Sequence, residues 1–228
     1  MKLPGEVPVM TLPNATLFPQ ALLPLYFFEP RYRRMLADAL ESDRMFSVAM
    51  KKPGCQRETP SPVAGLGLIR VSVSHRDGTS HLVLQGLARV ELLEVVRYKP
   101  YRVQRIRLLA PPPRNDTAVD ALVIKVRELL EERITLGLPF PFPVAPESKS
   151  AVAGPLEPLP SAAKEILKYL DGLANPEHVA DLVSCAVLAG GMERQTILET
   201  VDVEARLKQL VHFLLAENRQ QRKNGRHE

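Results

Sequence analysis

Along the first half of the chain, apolar residues come in short runs separated by prolines, glycines and charged residues. "VPVMTL" (7–12) is β-rich and ends at Pro13, and "MFSVAM" (45–50) is an apolar run closed by Lys51, Lys52, Pro53 and Gly54. Residues 51–62 are polar and contain proline, which predicts an exposed loop. Over 63–96 the pattern has period two: Val71, Val73 and His75 alternate with Arg70, Ser72 and Ser74. Asp77-Gly78 then predicts a hairpin turn, because glycine tolerates positive φ there. The chain returns through "HLVLQG", where Gly86 marks a bulge or bend. "ARVELLEVV" and "YRVQRIRLL" flank Lys99-Pro100 as a second strand pair. Several strands joined by short turns predict an antiparallel sheet, with curling into a barrel as one arrangement.

One stretch of period 3.6 interrupts the strands. Pro30 suits the first helical position, where its missing N–H would have had no partner, and Glu29 before it favours the positive end of the helix dipole. Tyr32, Met35, Leu36, Ala39 and Leu40 then form one apolar face, with Arg34 and Asp38 spaced to pair on the surface. After Leu109 the pattern changes at "APPPRND" (110–116). Residues 117–135 form an amphipathic helix with Asp116 as its expected N-cap. Residues 137–160 form a long Pro-rich loop. Helical signals resume at 161–173, and Asn175-Pro176-Glu177 starts a further helix that is expected to stop at Gly190-Gly191. "MERQTILET" reads as a short helix, and Asp202 caps a last long one. The fold class is α+β, divided into a β-rich subdomain over 1–112 and a helical subdomain over 113–228 that carries the 137–160 loop and a basic tail.

Composition narrows the function classes. Hydrophobic residues make up 45% and charged residues 25%, enough apolar content for a core and too much for global disorder. The net charge of +4 is partly local, since Arg219, Arg222, Lys223 and Arg226 crowd the C-terminal end. The start of the chain lacks an apolar leader, and residues 17–28 are too short to span a bilayer and contain Pro19 and Pro24. Cys55 and Cys185 form no C-x-x-C pair, so reduced thiols are expected. The expectation is a soluble cytoplasmic protein.

A search for chemistry finds little. Cys55 has no base partner, Cys185 reads as a small core residue, and no G-x-S-x-G elbow is present. His75 and His81 flank the hairpin turn without a third ligand. No P-loop can be placed, and "GLGL" (65–68) lacks the rest of a dinucleotide fingerprint. Neither a catalytic residue nor a cofactor or metal site is expected.

The same residues carry a family resemblance. "VPVMTLPNATLFPQALLPLYFFEPRYRRML" (7–36) resembles the opening of the Lon protease N-terminal domain family, and "FEPRYRRM" (28–35) is similar to its stand-alone members. "VAGLGLIRV" (63–71) and "LVLQGLARVELLEV" (82–95) resemble the family's strands, and "MERQTILETVDVEARLKQLVHFLLAE" (192–217) its helical signature. Three pieces in the correct order span nearly the whole chain. The resemblance implies a PUA-like β pseudo-barrel with one inserted helix, followed by a C-terminal helical bundle. It also implies a role in recognising protein substrates and supporting assembly. It departs from full Lon proteases: no Walker motif and no Ser–Lys dyad can be placed before the last residue, Glu228. The expectation is therefore a non-catalytic recognition module.

Within residues 17–36 most apolar side chains are expected to pack, including Leu17, Phe18, Leu22, Leu25 and Phe27. Phe28 differs. Neighbours in an extended segment face opposite ways, so one of Phe27 and Phe28 is free to meet a polypeptide client beside Arg31. Phe140 and Phe142 in "PFPFP" form a second pair of binding candidates, both on one side of an extended stretch. The alternative function is nucleic-acid binding by a PUA-like fold, with Arg219, Arg222, Lys223 and Arg226 as a weak phosphate contact.

Overall fold

A computed structural model describes residues 3–113, 115–138 and 172–224, with Lys168 and Leu170. The strands are β1 (Glu6–Leu12), β2 (Leu22–Phe27), β3 (Met45–Met50), β4 (Val63–Ser74), β5 (Ser80–Arg97) and β6 (Val103–Leu108). Helix α1 (Pro30–Leu40) lies between β2 and β3, and α2 (Asp116–Thr135), α3 (Pro176–Val187), α4 (Gly191–Glu199) and α5 (Val203–Asn224) follow β6. Two compact units result: Met1–Ala110 with Gly190–Glu199, and Pro111–Ala189 with Thr200–Glu228.

In the first unit the strand order is β2-β5-β4-β3-β1-β6, and β5 also pairs with β6. That second pairing closes five strands into a ring and leaves β2 on the outside. The sheet is mixed, which corrects the antiparallel expectation: β1 and β3 run parallel, with Val9 opposite Ser47. A parallel pair needs a long crossover. Here residues 13–44 supply it, by way of β2 and α1.

The core of this unit holds one cluster under α1, built on Phe27, Met35, Phe46, Val48 and Leu84. A second is built on Val7, Val9, Ala64, Leu66 and Val90. Helix α1 starts with Pro30 and buries Tyr32, Met35, Leu36 and Ala39, as their spacing predicts. Arg34 Nε meets Asp38 Oδ1 at 2.9 Å.

Residues 17 and 18 explain two glycines. A Cβ on Gly65 would stand 2.0 Å from the Leu17 carbonyl oxygen, and one on Gly86 only 1.9 Å from that of Phe18. The segment crosses the β4–β5 backbone so closely that no larger residue fits at either place. Gly86 also lies at a register shift, where Leu66 pairs with Ala88 but Gly67 with Gly86. Gly86 then accepts from Gln20 N and donates to Ala21 O, both at 2.9 Å. These bonds set the chain onto the path of β2.

Helix α4 belongs with the sheet although it lies in the second half of the chain. Gln195 Nε2 donates to Val63 O at 2.9 Å, Arg89 Nε to Leu198 O at 3.1 Å, and Arg194 Nη2 to Asn14 O at 2.8 Å. The helical half read from sequence is thus divided between the two units.

In the second unit α2, α3 and α5 pack on one another through Val126, Leu130, Val179, Val183, Leu207 and Leu210. Asn115, not Asp116, caps α2, accepting from Ala118 N at 3.4 Å, while Asp116 occupies the first turn. Asn175 caps α3 with Pro176 at its start, and Asp202 caps α5 through Ala205 N at 3.0 Å. Helix α3 ends at Val187, short of Gly190, and Gly191 opens α4. Arg206 and Asp181 form a buried ion pair at 2.9 Å, and Arg206 also donates to Thr200 O and Val201 O. Phe140, Phe142 and most of the 137–160 loop lie outside the described residues. No described helix is long and apolar enough to cross a membrane.

Candidate functional site

Strand β2 (LLPLYF) carries apolar residues in both phases of its alternation. The inward phase is Leu23, Leu25 and Phe27, and the outward phase is Leu22, Pro24 and Tyr26. The register then carries the outward phase across the sheet. Pro24 pairs with Val83 and Tyr26 with His81 on β5, and those two pair with Val71 and Val73 on β4. Most of these positions are open: Leu22 is 57% exposed, Tyr26 45%, Val71 54% and Val73 53%, with Val83 half-buried between them. Phe28, just past the strand, is 59% exposed, while its neighbour Phe27 is 1% exposed. The result is a continuous apolar face three strands wide.

One end of the face is aromatic. The Tyr26 ring stacks on His81 with centroids 4.6 Å apart and lies 5.8 Å from Phe28. His75 Nε2 and His81 Nδ1 share a hydrogen bond of 2.7 Å. Among the described residues no group of three or more His, Cys, Asp or Glu is placed to hold a metal ion.

Strand β2 is also the sheet's edge. Gly86 N donates to Ala21 O, so alternation turns the backbone groups of Leu22, Pro24 and Tyr26 away from β5. Pro24 therefore removes the middle donor from the free edge. This blunts strand addition and leaves the side-chain face as the accessible feature.

Arg31 does not extend this face. Its Nε contacts Glu29 at 2.8 Å and its Nη1 contacts Glu58 at 2.5 Å. Tyr32 donates to the other Glu58 oxygen at 2.8 Å, and Arg102 Nη2 donates to the Glu58 carbonyl at 3.0 Å. Burial, then the Glu58 carboxylate, pushes the Tyr32 hydroxyl pKa above its ordinary value. Arg31 is thus spent on tying the 51–62 loop to α1. On α5, Arg222 pairs with Glu132, Arg219 and Lys223 are exposed, and Arg226 lies outside the described residues. Of the two described binding candidates, Phe28 and Arg31, Phe28 sits on the apolar face. Leu22, expected in the core, is exposed there. Val71 and Val73 were legible as one phase of an alternation, but not as part of a binding face, and Tyr26 and Val83 carried no signal, because alternation reveals two faces without saying which one is covered.

Comparison with known proteins places the chain. Residues 6–216 match the family model of the ATP-dependent protease La (LON) substrate-binding domain. The chain belongs to this family. It is 28% identical over 218 residues to a Lon protease of Anaeromyxobacter dehalogenans, which covers 93% of this chain and 23% of that protein. It is likewise 28% identical over 219 residues to Lon protease 2 of Myxococcus xanthus, 93% of this chain and 24% of that protein. The chain therefore spans about a quarter of the length of the curated relatives it matches. The solved N-terminal domain of a Mycobacterium avium complex Lon protease shares the fold, with a TM-score of 0.67 at 18% identity, covering 92% of this chain and 97% of that one. A Lon N-terminal domain protein from Xanthomonas campestris aligns with a TM-score of 0.53 at 20% identity, covering 91% and 97%. The family's substrate-binding description and the exposed apolar face thus meet in one chain.

Proposed function

We propose that this chain is a non-catalytic module that binds polypeptide clients through the outward face of β2, β5 and β4, with Phe28 at its aromatic end. The carrying observation is the face itself: Leu22, Tyr26, Phe28, Val71 and Val73 are each close to half exposed or more. Contiguous exposed apolar surface of this kind marks an interaction site. An unfolded chain offers apolar side chains that a folded protein hides, which suits a family described by substrate binding. The ring of five strands with its inserted helix is read here as a PUA-like pseudo-barrel, and the α2–α3–α5 unit as its helical bundle. Recognition needs no catalytic group and no cofactor. A reducing cytoplasm suits Cys55 and Cys185, which form no C-x-x-C pair.

The test is fluorescence anisotropy of a labelled, permanently unfolded protein titrated with this one at low and high salt, beside a labelled oligonucleotide. Apolar contacts persist at high salt, whereas phosphate contacts weaken steeply. Binding of the unfolded chain that survives salt, and that Tyr26→Ser with Val71→Ser abolishes, supports the module. Binding of the oligonucleotide alone, at low salt only, favours the nucleic-acid function instead.

A further inference from the structure

We infer that the apolar face prefers client segments whose hydrophobic residues are flanked by Asp and Glu. This rests on the proposed function and adds a substrate class to it. The observation is the state of the arginines around the face. Arg70 bulges from β4 immediately before Val71, and Arg76 sits in the hairpin turn that follows Val73 and His75; both are exposed. Arg33 reaches the same turn from α1: a Cβ on Gly78 would stand 1.8 Å from its Nη2. None of the three has an ion-pair or hydrogen-bond partner among the described residues.

Three other arginines of this unit are held in ion pairs. Arg34 pairs with Asp38, Arg105 with Glu6 and Glu94, and Arg107 with Glu91. Acids near the face are fewer than the three arginines around it. Asp77 is the only acidic residue between 63 and 87, and its Oδ1 accepts from the backbone and hydroxyl of Thr79 at 2.9 and 2.7 Å. Glu29 is held by Arg31. Residues 22–28 carry no charge. The apolar face is therefore rimmed by three cations without ion-pair partners against one exposed carboxylate, Asp77, an excess of positive charge. Electrostatic complementarity at a rim selects partners and register more than it adds raw affinity. A client with acidic residues beside its apolar ones finds pairs at this rim, and a lysine-flanked client meets repulsion.

Two labelled peptides sharing an apolar core of alternating Leu, Phe and Val separate these cases, one flanked by Asp and Glu, the other by Lys. Exposed pairs are individually weak, so the expected preference for the acidic peptide is about five- to tenfold at low salt, shrinking as salt screens it. Arg70→Glu with Arg76→Glu should abolish or invert the preference. Lys99→Glu with Arg107→Glu, which changes the net charge equally on the β5–β6 side, should retain it. The single variants Arg70→Gln and Arg76→Gln remove charge without reversing it, and each should lower the preference. Equal affinities at low salt, or a preference that survives both Arg70→Glu and Arg76→Glu, overturn the charge selectivity while leaving apolar binding intact. Failure of both peptides to bind overturns the client-binding face itself, and this inference with it.

Discussion

Phe27 and Phe28 are adjacent in sequence and opposite in fate, which makes them a paired test of the face. Phe27 is 1% exposed, with the rings of Tyr32 and Phe46 each 5.9 Å away. Truncating it to alanine removes buried surface and opens a cavity, at a cost of about 3–5 kcal/mol. In a chain of this size that lowers the melting temperature by roughly 10 °C. Phe28 is already 59% exposed, so less than half of its burial can be lost. Full burial of such a side chain is worth about 1.5–3 kcal/mol, so Phe28→Ala should cost about 1 kcal/mol or less. The surface Phe28 leaves in water is what a client would cover. Losing that contact should weaken binding by about 1 kcal/mol, a factor of about five. Thermal melting read beside anisotropy with an unfolded client separates the two effects. Phe28→Ala should melt within a few degrees of the parent yet bind less tightly. A drop in melting temperature as large as that of Phe27→Ala, or an unchanged dissociation constant, would refute the reasoning.

Two further predictions concern what supports the face. Gly86→Ala would drive a methyl to 1.9 Å from the Phe18 carbonyl, so the segment leading into β2 must retreat. The expected cost is about 1–3 kcal/mol, read as a lower urea midpoint, together with weaker client binding because β2 shifts; an unchanged midpoint contradicts the close approach. Asp38 accepts from the Tyr101 hydroxyl at 2.7 Å, and that bond, with Arg34, holds its carboxyl below the usual carboxylate range. A carboxylate depressed in the folded state stabilises at pH values above its unfolded pKa of about 3.9, and the gain fades as pH falls through the lowered native value. Asp38→Asn should therefore flatten the acid limb of stability against pH below about pH 4, and a limb of unchanged slope would exclude this linkage.

Much of the chain was legible because its signals act over a few residues. Pro30 starts α1, Asn175-Pro176-Glu177 starts α3, Asp202 caps α5, and Asp77-Gly78 turns the hairpin; each works through neighbouring backbone groups. Where a local signal was doubled it misled: Asn115 and Asp116 are both good caps, and only the geometry of the turn chose Asn115. Gly86 was legible as a bend but not as the place where Phe18 crosses, since the crossing residue lies far away in sequence.

The sequence by itself determined the family, the strands other than β2, the helices α1 to α5 and the apolar stripe of α1. These follow from periodicity, caps, turns and ordered motifs. Tertiary structure alone decided the parallel β1–β3 pairing, the closure of β6 on β5, the attachment of α4 to the sheet, and Arg31's commitment to Glu58. It also decided that Leu22, Pro24 and Tyr26 face outward while Leu23, Leu25 and Phe27 face the core. Both phases of β2 are apolar, so alternation carries no preference between them. Only the strands and helix that cover one side make the other side a surface.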